Sequence, residues 1–195
     1  MASGSGFTAV ELKSLGSKPR GDGVTTPAWK YLKGAHETVQ GILDGMTLVR
    51  RTAAESRGDE YRGRLGRDQE DLLRAALMFT SSGLDVCCKR LVRDAAPLLI
   101  EGNADAARKF DEFLTEELSG GPSDALSAAV RSRASRDELV RLYVAAKTKA
   151  SMQGDEDVRK RVRDTLGIPN AMLRKQRLGS VRRIMGGAII GSLLL

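Results

Sequence analysis

Apolar residues recur at seven-residue intervals along the middle of the chain, between Asp68 and Leu99. The repeat and the residues that fill the same side are Leu73, Ala76, Leu77, Leu84, Cys87, Leu91, Ala95 and Leu98. Strand-like alternation is absent, and the stretch is much longer than an ordinary strand. The pattern therefore predicts one long amphipathic helix, with Asp68 as its N-cap and Pro97 ending or kinking it near Ala96.

Apolar positions at three- and four-residue spacing predict further helices on both sides of this central helix. Thr26 and Pro27 are typical of a helix start, and Ser123 and Ser135 are predicted N-caps. Gly167, with a proline two residues later, is typical of a helix end. The predicted flanking helices cover about 28–56, 104–118, a short stretch after 123, 135–150 and 155–166.

These elements predict an all-α fold, a helical bundle built around one long central helix at about 68–99. The low aromatic content, 4%, and the absence of short alternating runs agree with that class. Residues 1–27 are rich in Gly, Ser, Thr and Pro, and we expect a flexible N-terminal segment there. Residues 28–195 are expected to form a single helical domain. We interpret the leucine repeat as intramolecular core, with a dimer seam as the alternative.

Positive charge is concentrated near the end of the chain. The net charge is +7, and residues 154–195 carry nine Lys/Arg against four Asp/Glu. Such an asymmetry suits a polyanionic partner, nucleic acid first and an anionic membrane surface second, whereas a solvated tail without a specific partner is the alternative. The candidate nucleic-acid-binding residues are Arg174, Lys175, Arg177, Arg182 and Arg183. No aromatic side chain interleaves them, so stacking on single-stranded bases is not indicated.

The candidates for catalytic chemistry are few. His36 is the only histidine, and Cys87 and Cys88 are adjacent on a helix, where they cannot form a disulfide with each other. Cys87 could be a reactive thiol with Lys89 and Arg90 nearby, but a buried small side chain is the favoured interpretation. No nucleotide-binding glycine pattern and no metalloprotease motif occurs, so we expect no metal site and no cofactor.

The polar side of the central helix is the second candidate site. We expect a groove along this face, lined by Ser82, Asp85, Lys89 and Arg93. The reduced, unpaired cysteines and the absence of a secretory pattern at the N-terminus predict a cytoplasmic protein. The apolar end, IMGGAIIGSLLL, is shorter than the roughly 20 residues needed to span a bilayer. We therefore expect no membrane span, and interpret this end as a core helix, an interfacial anchor or a truncation product.

Three phrases carry a resemblance to a known family. They are LMFTSSGLDVCCKRLVRDAAPLL at 77–99, RDELVRLYVAAKTKASMQ at 136–153 and DTLGIP at 164–169. In their order and spacing they resemble the HEPN superfamily, specifically the RiboL-PSP-HEPN group, over about residues 70–169. The resemblance implies a compact helical bundle that often dimerises. It also implies RNA-linked roles, commonly as ribonucleases of prokaryotic toxin–antitoxin or anti-phage systems.

Active members of that family cleave RNA without a metal through an Arg-x4–6-His motif near the last helix. In this chain the sole histidine, His36, lies in the first predicted helix, and no histidine follows Gly167. None of the family's catalytic residues can therefore be assigned to a position in this chain. The chain is either a non-catalytic member or is shortened or frame-shifted after about Arg183. The leading hypothesis is an RNA-associated HEPN-like domain whose partners are RNA, a protein such as an antitoxin, and a second copy in a homodimer. The alternatives are a metal-independent endoribonuclease and a helical dimerisation or protein-interaction module.

Overall fold

The computed structural model describes residues 11–18, 23–58, 66–152 and 155–167. All regular elements within these ranges are α-helices, which confirms the predicted fold class. The six helices are α1 Thr26–Arg57, α2 Arg67–Gly102, α3 Ala104–Ser119, α4 Asp124–Arg131, α5 Ser135–Lys149 and α6 Asp155–Leu166. In the described part of the chain no helix is long and apolar enough to cross a bilayer.

The two longest helices, α1 and α2, pack against each other as an antiparallel hairpin. Val39, Leu43 and Met46 of α1 share a buried cluster with Ala76 of α2. Further along the hairpin, Gly83 lies so near α1 that a Cβ added to it would be 2.1 Å from the Cβ of Ala35. The hairpin therefore depends on a position without a side chain where the two helices lie close together.

The second half of α2 packs against α3, α5 and α6 around a separate and larger cluster. The buried residues of that cluster are Cys88, Val92, Ala96, Ile100, Phe110, Phe113, Tyr143, Val144, Met152, Val158 and Leu166. Because α2 contributes to both clusters, it is the central element of the bundle, as the hydrophobic pattern predicts.

The leucine repeat is core in part: its middle members pack against the larger cluster, and its end members are exposed. Leu77 and Leu98 are 43% and 54% exposed, while Leu84 and Leu91 pack only partly against the larger cluster. The buried residues of the helix are instead Ala76, Cys88, Val92, Ala96 and Ile100, so the buried thiol is that of Cys88. The buried face changes along the helix because α2 packs on α1 first and on α3, α5 and α6 afterwards.

Both ends of α2 also differ from the prediction. The helix begins at Arg67, with Gly66 as N-cap, and the Gly66 N–H donates to Gln69 Oε1 at 3.2 Å, so Asp68 is not the cap. Pro97 does not end the helix, which continues to Gly102. Proline removes one backbone hydrogen bond, but Ile100 beyond it is buried, and such burial contributes about 1.5–3 kcal/mol.

Helix caps explain several other boundaries. The Ser123 hydroxyl accepts the Leu126 N–H at 3.2 Å, which confirms the predicted cap of α4. Ser135 is the first residue of α5 and not its cap, since Ala134 precedes it as N-cap without a side-chain hydrogen bond. Gly167 ends α6 with a φ of +64°, a conformation that favours glycine.

Candidate functional site

Asp85 and Lys89, two of the four predicted groove residues, form the core of a polar site on α2. The Lys89 Nζ lies 2.7 Å from Asp85 Oδ2, and both side chains are mostly buried. The other carboxylate oxygen, Oδ1, accepts the backbone N–H of Met152 at 2.6 Å. Met152 is fully buried just after α5. Asp85 therefore connects the central helix to the chain segment that joins α5 and α6.

The remaining groove candidates, Ser82 and Arg93, are exposed on α2. They lie three residues before Asp85 and four residues after Lys89, at the two ends of the polar site. The structure thus brings Asp85 and Lys89 together with a backbone amide, and leaves Ser82 and Arg93 facing solvent. The hydrogen bond to Met152 spans 67 residues of sequence, so the local pattern of α2 contains no sign of it.

A cleft of about 480 Å³ lies elsewhere, between residues 11–16 and α1. The Leu12 N–H donates to Gln40 Oε1 at 2.8 Å, and Gln40 Nε2 donates to Asp44 Oδ1 at the same distance. His36 Nε2 is 3.1 Å from the carbonyl oxygen of Lys13. These bonds give His36 and Gln40 a packing role, in which they hold part of the predicted N-terminal segment against α1.

Tyr143 occupies the centre of the larger cluster. Its side chain is fully buried, and its ring lies edge-on to Phe110 and Phe113 with centroids 5.5 and 5.2 Å away. The hydroxyl donates to the carbonyl oxygen of Thr165 at 3.3 Å or of Asp164 at 3.4 Å, at the end of α6. Burial, reinforced by nearby carboxylates, raises the pKa of Tyr143 to about 12. The neutral hydroxyl is therefore the form that the core stabilises.

Both cysteines are held in the thiol form. Burial raises the pKa of Cys87 to about 11 and that of Cys88 to about 12. A thiolate is the reactive species, and a raised pKa lowers its population at neutral pH. Cys88 packs in the larger cluster, whereas Cys87, which we expected to be buried, is only partly so. Among the described residues no group of three or more His, Cys, Asp or Glu side chains could hold a metal ion.

The basic candidates lie outside the described residues. They are Arg174, Lys175, Arg177, Arg182 and Arg183. The last described residue, Gly167, packs closely on the start of α3, where an added Cβ would be 2.5 Å from the backbone nitrogen of Ala106. Gly167 itself therefore lies beside the start of α3.

The three phrases at 77–99, 136–153 and 164–169 meet in one part of the structure. Asp85 belongs to the first phrase and Met152 to the second, and they share a hydrogen bond. Tyr143 of the second phrase donates to Thr165 of the third. Comparisons with protein-family models, with curated proteins and with solved structures found no significant match.

Substitution of Asp85 tests how much this polar site contributes to stability. We expect Asp85→Ala to lower the free energy of unfolding by about 1–3 kcal/mol, because the Met152 N–H and the Lys89 ammonium both lose a mostly buried partner. Asp85→Asn keeps an oxygen that accepts the N–H, and should cost less than half as much. Urea unfolding followed by circular dichroism measures both changes.

The matched control is Asp71→Ala, which removes a carboxylate from an exposed ion pair with Arg74 on the same helix. Exposed pairs contribute little, so we expect a change of under about 0.5 kcal/mol. Equal losses in Asp85→Ala and Asp71→Ala would show that the bond to Met152 contributes nothing.

Proposed function

We propose that this chain is an RNA-associated, HEPN-like helical protein of a prokaryotic toxin–antitoxin or phage-defence system, without the family's catalytic Arg-His pair. The observation that carries the proposal is the convergence of the three resembling phrases in one hydrogen-bonded core. The phrases cover much of α2 and α5 and the end of α6, and they meet through a mostly buried carboxylate and a fully buried tyrosine. Their contact supports a common structural unit.

The available side chains favour binding over catalysis. A metal-independent ribonuclease of this family needs a histidine for proton transfer and an arginine for the phosphorane charge. His36, the only histidine, lies on α1, where its ring nitrogen contacts the Lys13 carbonyl. The five basic residues between 174 and 183 can instead neutralise phosphates, which predicts binding that weakens steeply with salt.

Filter-binding or fluorescence anisotropy with labelled RNA tests this proposal. If all five cations contact phosphates of a single strand, the affinity should fall about 100-fold between 50 and 200 mM salt. The test variant changes all five to Ala, namely Arg174, Lys175, Arg177, Arg182 and Arg183. It should lose most of the affinity and most of the salt dependence, because the counterions are no longer released.

A control variant removes the same charge from exposed, ion-paired positions on the helices. Its changes to Ala are at Lys33, Arg51, Arg74, Arg108 and Arg141. We expect this variant to keep most of the affinity, since net charge alone is not the determinant. Equal losses of affinity in the two variants would show that RNA binding depends only on the net charge of the protein. Unchanged binding by the test variant would refute the proposal that these five residues contact RNA.

A further inference from the structure

Residues 11–16, which we call the strap, lie on the surface of α1 without forming regular secondary structure. The Leu12 N–H donates to Gln40 Oε1 at 2.8 Å, and the carbonyl oxygen of Lys13 is 3.1 Å from His36 Nε2. Because His36 lies four residues nearer to the start of α1 than Gln40, the strap runs antiparallel to the helix. Two side chains of α1 therefore bind main-chain groups of two consecutive strap residues.

One strap side chain also packs on the hairpin. Leu12 packs against the buried cluster that α1 and α2 share. Leu12 and Leu15 are half-buried, whereas the other four residues of the strap are exposed. The strap is thus held by one leucine anchor and two main-chain hydrogen bonds. Contacts of this kind recognise a peptide through its backbone and one side chain, with little dependence on the other side chains.

The strap leaves space between itself and α1. A cleft of about 480 Å³ remains there, which is in the size range of ligand sites. Trp29, Lys33 and Glu37 line the cleft on its helix side, and Ser14 and Leu15 line it on its strap side. Core segments leave few voids larger than a water molecule. Unlike a core segment, the strap therefore fills its site incompletely.

We propose that this face of α1 is a peptide-binding site, occupied by the chain's own strap, and that its ligand is a leucine-containing segment of another protein that displaces the strap. Residues 17–25 join the strap to α1, and a linker this short gives the tethered segment an effective concentration on the order of millimolar. A ligand that forms the same two main-chain bonds and also fills the cleft beside Trp29 makes contacts that the strap lacks, and so binds more tightly.

The site is independent of the proposed RNA association. The strap and α1 lie outside residues 70–169, over which the family resemblance extends, and outside the basic residues between 174 and 183. Failure of the RNA experiments would leave this site in place, and failure of the experiments below would leave the RNA proposal in place.

A synthetic peptide with the sequence of residues 10–17, VELKSLGS, is the probe for this site. It is titrated into the full-length chain, where Trp29, the only tryptophan, lines the cleft and reports binding by fluorescence. Leu12→Ala removes the anchor of the strap and weakens the tethered competitor. We therefore expect this variant to bind the peptide about 5-fold or more tightly than wild type does. Leu48→Ala is the control, since it changes an α1 leucine that is 64% exposed, and should bind like wild type.

Changes in the peptide distinguish main-chain recognition from nonspecific attraction. Methylation of the peptide nitrogen that corresponds to Leu12 removes the N–H that Gln40 accepts. We expect this change to weaken binding to the Leu12→Ala chain by about 10-fold. Methylation at the position of Ser14, an exposed strap residue, is the matched control and should be tolerated.

The wild-type chain tests displacement without any substitution. Excess unlabelled peptide added to the ¹⁵N-labelled chain should speed solvent exchange of the Leu12 amide proton, because displacement separates this N–H from Gln40. Three results would each overturn the proposal. They are no binding of millimolar peptide to the Leu12→Ala chain, equal binding of the two methylated peptides, and exchange of the Leu12 amide that excess peptide does not change.

Discussion

Replacing Tyr143 by Ala should lower the free energy of unfolding by about 3–5 kcal/mol, the range for loss of a buried aromatic ring. Tyr143 is fully buried, its ring contacts Phe110 and Phe113, and its hydroxyl reaches the end of α6 at Thr165. The Ala variant leaves a cavity where α3, α5 and α6 meet. Urea unfolding monitored by circular dichroism measures the loss, and a change below about 1 kcal/mol would contradict this packing.

Tyr143→Phe removes the hydroxyl and keeps the ring, so it measures what the hydroxyl alone contributes to stability. We expect a loss of about 0.5–1.5 kcal/mol at pH 8, because one hydrogen bond to a backbone carbonyl disappears. Burial raises the folded pKa to about 12, above the ordinary tyrosine value of about 10. The free energy of unfolding that this pKa difference contributes is fully present below pH 10, and it is lost as the pH rises through 12.

The stability of wild type and that of Tyr143→Phe should depend differently on pH. Wild type should lose more stability than Tyr143→Phe between pH 10 and pH 12, while the two cysteines are present in both proteins and cancel from the comparison. Parallel pH profiles would show that the hydroxyl is not buried as the structure places it.

Replacing Gly83 by Ala should lower the free energy of unfolding by about 1–3 kcal/mol, the usual cost of overpacking. The added Cβ would lie 2.1 Å from the Cβ of Ala35, which belongs to a rigid helix and cannot rotate away. The expected sign is unusual, because Ala in a helix interior is ordinarily more stable than Gly by about 0.5–1 kcal/mol. Thermal and urea unfolding both measure the change.

Gly41→Ala is the matched control, since this exposed α1 glycine has nothing within 4 Å of an added Cβ. It should stabilise the protein by up to about 1 kcal/mol. Adding Ala35→Gly to Gly83→Ala removes the opposing methyl group, and should recover part of the lost stability. Stabilisation by Gly83→Ala alone would mean that α1 and α2 do not approach closely at this point.

Helical periodicity predicts most of the fold because it depends on neighbouring residues. The start near Thr26 and the end at Gly167 follow from local signals, and both are observed. Pro97 shows where local signals fail, since the helix continues past it to Gly102 and the residue Ile100 beyond it is buried. The leucine repeat is core at Leu84 and Leu91 but exposed at Leu77 and Leu98, because a heptad pattern does not show that α2 changes packing partners halfway along its length.

The candidate site is predictable only in part. Asp85 and Lys89 were recognisable as a polar pair four residues apart on one helix, but the bond from Asp85 to Met152 depends on tertiary structure. The contacts of His36 and Gln40 with residues 12–13 likewise join distant parts of the chain. The five basic residues from 174 to 183 lie outside the described residues, so their assignment stays a prediction from charge.

A single electrophoresis experiment bears most directly on RNA association without cleavage. Labelled RNA is incubated with highly purified full-length protein in EDTA, and one half is run on a native gel and the other on a denaturing gel. We predict RNA that is retarded on the native gel and intact on the denaturing gel, with retardation lost at high salt. Discrete cleavage products would contradict the non-catalytic assignment, and RNA that is neither retarded nor cleaved would contradict association with RNA itself.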